Sequence, residues 1–225
     1  MRIGLLQPGH APDEVRGQLG DYADMFERLL TGHDFRFERW DVVDGVFPDG
    51  PGAADAWLIT GSRHGVYEDH PWLPRLEELV REIVDSGKPL VGVCFGHQVI
   101  AQALGGKVEK FRGGWAVGRQ VYDFGDEQLA LNAWHQDQVV ELPPDAQVIA
   151  SNDFCENAAL VIGDNVLTIQ PHPEFGAAMI EGLLAHRAGS VPDALKDAAR
   201  AGLRTETANA ELGQRMADFL RKGAK

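Results

Sequence analysis

The first hundred residues alternate short apolar runs with longer amphipathic stretches, and this pattern constrains the fold more than any other feature of the chain. Each apolar run is short enough to be a single strand, at residues 2–6, 35–40, 56–59 and 89–91. Apolar side chains recur with helical spacing over residues 13–30 and 73–84. Strands that alternate with helices form parallel sheets covered on both faces. The sequence therefore predicts an α/β fold with a mostly parallel, doubly wound sheet flanked by helices.

The middle of the chain has a different pattern, in which Gly, Asp and Pro separate short β-like runs. These runs predict a small antiparallel β section, at residues 108–111, 115–124, 138–142 and 147–151. Residues 158–162 and 166–170 flank a Gly-Asp-Asn turn and are predicted to form a hairpin.

The end of the chain is predicted to be helical. We expect a helix over about residues 175–187, and one or two extra C-terminal helices where the sequence is rich in Ala, Leu, Arg and Glu. Residues 1–187 are then one domain, and residues 188–225 are a helical extension of it. The apolar stripes of this extension either pack on the core or form a homodimer or partner surface.

Composition restricts the classes of partner and compartment. The 225 residues carry a formal net charge of −13, which argues against binding to nucleic acid or to an anionic membrane. Two cysteines are too few for a disulfide framework. Neither a signal peptide nor an apolar run of membrane-spanning length is recognisable. We therefore expect a cytoplasmic protein.

One cysteine lies where a nucleophile is expected. Cys94 follows a predicted buried strand and precedes an apolar helical run, with Gly92 and Gly96 on either side. Such glycines permit a sharp strand–turn–helix bend. At the start of a helix, the dipole favours the reactive thiolate. Cys94 is therefore a candidate nucleophile that needs a base.

A histidine at the end of another apolar strand is the candidate base. His172 is flanked by Pro171 and Pro173, which restrict the local backbone, and Glu174 is close enough to orient its imidazole. Considered alone, the His-Pro-Glu sequence is equally compatible with a surface turn before a helix, where Glu174 stabilises the helix N-terminus. The combination with Cys94 favours the catalytic interpretation.

The two motifs together resemble those of the class I, triad-type glutamine amidotransferases. The nucleophile motif of that family is G-x-C-x-G-x-Q, and residues 92–98 match it at every specified position; the base motif, H-P-E, matches residues 172–174. The separation of 78 residues (172 − 94) is typical of the family. The resemblance covers residues 1 to about 187 and is that of a stand-alone family member similar to the glutaminase domain of GMP synthase. It implies Cys94, His172 and Glu174 as the catalytic triad.

The same resemblance implies an oxyanion hole and a substrate loop. Gly61 and Ser62 look like the oxyanion loop of the family, so the backbone N–H of Ser62 is expected to act with that of Phe95. Residues 134–137 resemble the second substrate loop, with His135 at its start. The remaining implied contacts are substrate-binding ones, from the backbone of Gln136 and Asp137 to the α-carboxylate of glutamine and from Gln98 to the bound glutamine.

Three functions remain compatible with the sequence. The first is a glutamine amidotransferase-like hydrolase that releases ammonia from glutamine through a γ-glutamyl thioester on Cys94, with a separate synthetase subunit as a possible partner. The second is a γ-glutamyl peptidase or hydrolase that acts on γ-glutamyl peptides or amides. The third is a non-catalytic binding or regulatory module, which an intact triad disfavours. The substrate is a small molecule in the first two cases.

Several other residues are not assigned to the chemistry. Cys155 has no flanking glycines and is expected to be a packed thiol. His64 is assigned to a loop surface, although it is near the predicted oxyanion loop in sequence. Histidines and carboxylates show no H-x-x-x-H spacing, and no nucleotide-binding motif is present, so neither a metal nor a cofactor is expected.

Overall fold

The computed structural model describes residues 1–222, in which strands and helices alternate up to α4, seven successive strands follow, and three helices end the described part. The strands are β1 (Arg2–Leu6), β2 (Arg36–Trp40), β3 (Ala56–Ile59), β4 (Leu90–Val93), β5 (Lys107–Lys110), β6 (Ala116–Asp123), β7 (Gln128–His135), β8 (Asp137–Glu141), β9 (Ala146–Ala150), β10 (Ala159–Ile162) and β11 (Val166–Ile169). The α-helices are α1 (Asp13–Leu19), α2 (Tyr22–Leu29), α3 (Leu73–Asp85), α4 (Phe95–Ala103), α5 (Ala177–His186), α6 (Asp193–Gly202) and α7 (Asn209–Arg221).

The main sheet has seven strands in the order β2-β1-β3-β4-β11-β10-β9. The first five strands in this order, from β2 to β11, are mutually parallel. Strand β10 pairs antiparallel with β11, and β9 pairs antiparallel with β10. Strands β5 and β8 form one two-stranded ribbon, and β6 and β7 form another. The predicted α/β class, the mostly parallel sheet, the small antiparallel section and the 158–170 hairpin are confirmed.

Helices cover both faces of the sheet, which is why its central strands are continuous apolar runs. Strand β3 shows this division: Ala56 and Leu58 join the core under α2 and α7, whereas Trp57 and Ile59 join the core under α3 and α4. Every residue of β3 and β4 is buried. The strand ends next to these cores are therefore rigid supports for a functional site.

Three neighbouring strands direct their carboxyl ends to the same edge of the sheet. Strand β3 leads to Gly61, β4 leads to Cys94, and β11 leads to His172, with β4 between the other two. In parallel sheets, this edge is where ligands bind. The topology therefore brings together the predicted nucleophile, base and oxyanion loop.

The predicted single helix over residues 13–30 is wrong, because the structure has two helices. Gly20 adopts φ of +77°, a left-handed conformation that ends α1. Asp21 then begins α2 with a capping box, in which Asp24 accepts a hydrogen bond from the Asp21 N–H. The break positions α1 and α2 independently beside the edge that carries Cys94.

Strand β7 was not predicted. It pairs antiparallel with all of β6, from Ala116 opposite His135 to Asp123 opposite Gln128. Leu129, Leu131, Ala133 and His135 are buried at every second position, but the alternation is broken because Asn132 is buried as well. The signal is weak because alanine and asparagine, which have low β propensity, occupy much of the strand.

The C-terminal helices pack on the rest of the molecule. Leu212, Met216 and Leu220 of α7 are buried in the core beside β3 and β4, and α6 packs on β6 with Ala199 facing Gly118. Packing on the core therefore accounts for the apolar stripe of α7. The boundary at residue 187 stays a prediction, and residues 223–225 of the predicted extension lie outside the described residues. Within residues 1–222, no helix combines the length and apolarity needed to cross a membrane.

Candidate active site

Cys94 lies on a strained turn between β4 and α4. Its φ is +53°, in the left-handed region that a side chain disfavours, and its N–H donates to the carbonyl oxygen of Ile169 at 2.8 Å. Such strain costs about 1–3 kcal/mol and persists only where the surrounding structure determines it. The bend places a buried thiol at the N-terminus of α4, as a nucleophile elbow does.

The two flanking glycines allow close packing rather than unusual backbone angles. Neither Gly92 nor Gly96 has a positive φ. A Cβ atom at position 96 would lie 2.3 Å from the carbonyl oxygen of Ile59, and one at position 92 would lie 2.5 Å from that of Gly96. Only glycine therefore lets α4 lie this close to β3 and β4.

His172 is held in one orientation beside Cys94. Its Nδ1 is 2.7 Å from Oε1 of Glu174, and its ring stacks on Phe175 with a centroid separation of 3.8 Å and an interplanar angle of 3°. Its backbone N–H donates to the carbonyl oxygen of Asn132 at 2.8 Å. Since Glu174 occupies Nδ1, the other ring nitrogen, Nε2, is left to interact with the neighbouring Cys94. This is the geometry of a Cys-His-Glu triad.

The pKa of His172 is shifted strongly from its usual value. Burial alone would lower the pKa of His172, but the charges of Glu174 and of the Cys94 thiolate, together with their hydrogen bonds, raise it to about 10. The raised pKa favours the imidazolium form of His172, which can donate a proton beside Cys94. The side chain of Glu174 is fully buried, as an ion-pair partner of His172.

The predicted oxyanion loop passes directly beside the triad. A Cβ atom on Gly61 would lie 2.9 Å from Cε1 of His172 and 3.7 Å from Cβ of Cys94. The Ser62 hydroxyl donates to the Pro8 carbonyl at 3.0 Å and accepts from the His64 N–H at 3.1 Å, which anchors the loop. Phe95 begins α4, where backbone N–H groups have no partner within the helix. The oxyanion role of Ser62 and Phe95 stays a prediction.

Gln98 supports the second substrate loop. Its side-chain amide donates to the carbonyl oxygen of Asp137 and to Oε1 of Gln170, both at 3.0 Å. Both N–H groups are thereby used, and Oε1 remains for a substrate. The predicted contact of Gln98 with bound glutamine stays a prediction, now restricted to that oxygen.

The loop after β7 lies across the cavity from Ser62. His135 is buried and shares a hydrogen bond between its Nδ1 and the Asp137 carbonyl at 3.2 Å; burial lowers its pKa to about 4, so it is neutral. Gln136 donates through its side chain to the carbonyl oxygen of Phe111. The Asp137 carboxylate accepts from the hydroxyl of Tyr67 at 3.0 Å. The hydrogen bond between Tyr67 and Asp137 therefore links the segment after the oxyanion loop to the second substrate loop.

Seven of the ten predicted site residues line one cavity of about 540 Å³, and Gly61, Phe95 and Glu174 are outside its lining. Its walls include Ser62, Cys94, Gln98, His135, Gln136, Asp137 and His172. Trp134, the first residue of the predicted second substrate loop, also lines the cavity. Further walls come from residues that the sequence did not identify, among them Arg16, Tyr22, Tyr67 and Trp115, which converge only through tertiary folding.

Two residues outside the triad have clear positions. Cys155 is buried, and burial raises the pKa of its thiol to about 12, which fits the expected packed thiol rather than a nucleophile.

His64 lines the mouth of the cavity rather than a remote surface. Its ring lies close to Glu68 and His70, and the three offer ligand atoms within 4.8 Å of one another. The expectation of no metal site overlooked this group because its spacing is H-x-x-x-E-x-H.

Comparisons with known proteins agree with this geometry. A family model described as glutamine amidotransferase class-I matches residues 45–180. The chain is 35% identical over 173 residues to gamma-glutamyl peptidase 4 of Arabidopsis thaliana, covering 69% of this chain and 68% of that protein. It is 31% identical over 183 residues to gamma-glutamyl peptidase 3 of the same plant, covering 74% of each chain.

A more distant relative and a solved structure complete the comparison. The chain is 28% identical to GMP synthase [glutamine-hydrolyzing] of Clostridium novyi, covering 77% of this chain but 36% of that protein. The crystal structure of a glutamine amidotransferase from Thermotoga maritima superposes with a TM-score of 0.77 at 22% identity, over all of this chain and 98% of that one. This likeness supports the fold.

Substitution of Gly61 by alanine is expected to lower kcat by about 10²-fold or more, the usual effect of displacing a catalytic group by about 1 Å. The new Cβ would contact His172, whose ring cannot retreat because it stacks on Phe175. The matched control is Gly176→Ala, close to the triad but with open space at the Cβ position. Steady-state rates of γ-glutamyl amide hydrolysis test this, and equal rates for both variants would contradict the proposed packing.

Glu174→Gln is expected to reduce stability more at pH 6 than at pH 10. The folded-state pKa of His172, about 10, is raised above its usual value of 6.5. The stabilisation of the folded state by the His172–Glu174 ion pair is therefore complete below about pH 6.5 and is lost as the pH rises towards 10.

Urea unfolding of wild type and Glu174→Gln at both pH values measures this difference. We expect Glu174→Gln to lower the free energy of unfolding by more at pH 6 than at pH 10, with a difference of more than about 1.4 kcal/mol, the equivalent of one pKa unit. Glu181→Gln, an exposed carboxylate on α5, is the control and should show no such difference. A pH-independent loss for Glu174→Gln would contradict the buried ion pair.

Proposed function

The chain belongs to the class I glutamine amidotransferase family, and we propose that it is a γ-glutamyl hydrolase whose substrates carry an amine larger than ammonia. Cys94 is the nucleophile, His172 the acid and base, and Glu174 the residue that orients His172. Of the two enzymatic functions compatible with the sequence, this choice favours the γ-glutamyl peptidase over the release of ammonia from glutamine.

The size and direction of the cavity carry this proposal. A leaving amine departs beside the group that protonates it, which is His172. On that side, His172 stacks on Phe175, Phe175 lies 6.0 Å from the ring of Tyr22, and the wall continues to Trp115 and Trp134. About 540 Å³ is within the range of pockets that hold drug-sized ligands. Ammonia needs no such space, whereas an apolar or aromatic amine fits it.

The first half of the reaction forms a thioester. The Cys94 thiolate attacks the carbonyl carbon of the γ-amide, and the negative charge passes to the carbonyl oxygen. The N–H groups of Ser62 and Phe95 are proposed to bind this oxygen. The C–N bond then breaks as imidazolium His172 gives its proton to the departing amine. The γ-glutamyl group remains on the sulfur of Cys94, and His172 is neutral.

The second half regenerates the enzyme. Neutral His172 takes a proton from water, and the resulting hydroxide attacks the thioester carbonyl. The C–S bond breaks, glutamate leaves, and Cys94 returns to the thiolate beside imidazolium His172. Glu174 holds the ring throughout by its 2.7 Å hydrogen bond with Nδ1.

The substrate glutamyl group is proposed to bind between the two loops. The backbone of Gln136 and Asp137 holds its α-carboxylate, with His135 and Gln98 supporting that backbone. The expected roles of these residues rest on the family resemblance, and their position in the cavity wall supports the assignment.

The relatives support both candidates to different degrees. The two gamma-glutamyl peptidases described above are at least 31% identical to the chain, which covers at least 68% of each of them. The match to a glutamine-hydrolysing GMP synthase favours a second candidate, a glutaminase that supplies ammonia to a separate synthetase subunit. A homodimer remains compatible with either candidate.

Hydrolysis assays with purified protein distinguish the candidates. We expect kcat/KM for γ-glutamyl dipeptides with an apolar or aromatic second residue to exceed that for glutamine by at least about 10-fold, since burial of one such side chain is worth about 1.5–3 kcal/mol. Trp115→Ala is expected to raise KM for those dipeptides and to leave KM for glutamine unchanged.

Cys94→Ser is the control for contaminating activity and should be inactive on every substrate. Cleavage of glutamine alone would replace this proposal by the glutaminase candidate. Equal inactivity of wild type and Cys94→Ser on all substrates would contradict both.

A further inference from the structure

The segment that follows the oxyanion loop brings together three side chains that suit a metal ion. His64, Glu68 and His70 lie within seven residues of one another, and Oε2 of Glu68 is 3.3 Å from Nδ1 of His64 and 2.7 Å from Nε2 of His70. Within the described residues, this is the one group of at least three His, Cys, Asp or Glu side chains close enough to share an ion.

The donor set favours zinc over Mg²⁺ and Ca²⁺. Two imidazoles and one carboxylate are the three protein ligands of many zinc sites that keep a fourth position open. Mg²⁺ and Ca²⁺ prefer oxygen ligands alone. Zinc bonds of about 2.0–2.1 Å place tetrahedral ligand atoms about 3.3 Å apart, which the His64–Glu68 pair already matches. Glu68 is half exposed, so its carboxylate is free to turn and widen the contact with His70.

The surrounding structure holds two of these side chains in place. The ring of His70 stacks on Trp72 with a centroid separation of 5.2 Å and an interplanar angle of 9°, and the ring of His64 meets both rings edge-on. Trp72 is buried against Phe95. Backbone bonds from Glu68 to Gly65 and from His70 to Glu68 shape the turn. Little ordering is therefore left for an ion to impose, which favours binding.

We propose that His64, Glu68 and His70 bind one Zn²⁺ ion at the mouth of the active-site cavity and that this ion fixes the segment 62–72. His64 and Glu68 line the mouth. The N–H of His64 donates to the hydroxyl of Ser62, and Tyr67 reaches Asp137 across the opening. The ion therefore holds both the oxyanion loop, through the His64–Ser62 contact, and the Tyr67–Asp137 hydrogen bond. The proposal does not depend on which γ-glutamyl compound is the substrate.

Zinc titration by calorimetry tests the site in a Cys94→Ser background, which removes the reactive thiol as a competing ligand. We expect one Zn²⁺ per chain, and an affinity at least about 100-fold lower after His70→Ala or Glu68→Gln is added. His186→Ala, an exposed histidine on α5, is the matched control and should bind as the background does. Mg²⁺ at millimolar concentration should not compete. Thermal unfolding without metal checks that the variants fold.

Hydrogen exchange of residues 62–72 tests the second part of the proposal. Zinc should slow exchange in this segment of the background protein and of its His186→Ala variant, and should leave the His70→Ala variant unchanged. Absence of zinc binding at micromolar concentrations, or binding unaffected by both His70→Ala and Glu68→Gln, would overturn the site. Binding without slower exchange would overturn the claim that the ion fixes the segment.

Discussion

The close approach of helix α4 to strands β3 and β4 is the constraint on which the site depends. Gly96 lies against the carbonyl oxygen of Ile59, at a distance that leaves no room for a side chain. The turn before α4 is therefore short, and Cys94 is forced to φ of +53°. Because β3 and β11 flank β4 in a parallel arrangement, this same turn lies between Gly61 and His172. The strain of one residue is compensated by two well-packed cores beneath it.

The buried charge on His172 is the second requirement, and distant parts of the chain contribute to it. Glu174 stabilises the imidazolium, and the ring of Phe175 fixes its plane. The carbonyl oxygen of Phe175 accepts hydrogen bonds from Asn132 of β7 at 2.8 Å and from Asn209 of α7 at 3.0 Å. The β6–β7 ribbon and the C-terminal helices thus support the catalytic turn.

The convergence of Cys94, His172 and Glu174 was predictable because each lies in a short motif next to a strand end, where local sequence determines local structure. The parallel sheet was predictable for the same reason, from its buried apolar runs. The break at Gly20, strand β7 and the cavity wall at Tyr22 and Trp115 were not predictable. A glycine inside a helical pattern is ambiguous by itself. The cavity wall depends on contacts between segments far apart in sequence, which no local pattern encodes. The His64–Glu68–His70 group was overlooked because its spacing matches no common metal motif.

The most direct test of the account is the identity of the covalent intermediate. Wild-type protein is mixed with a γ-glutamyl dipeptide and quenched in acid during turnover, and its peptides are analysed by mass spectrometry. The account predicts one γ-glutamyl group on the peptide that contains Cys94, and none in Cys94→Ser. Modification of Cys155 instead, or hydrolysis that continues in Cys94→Ser, would contradict it.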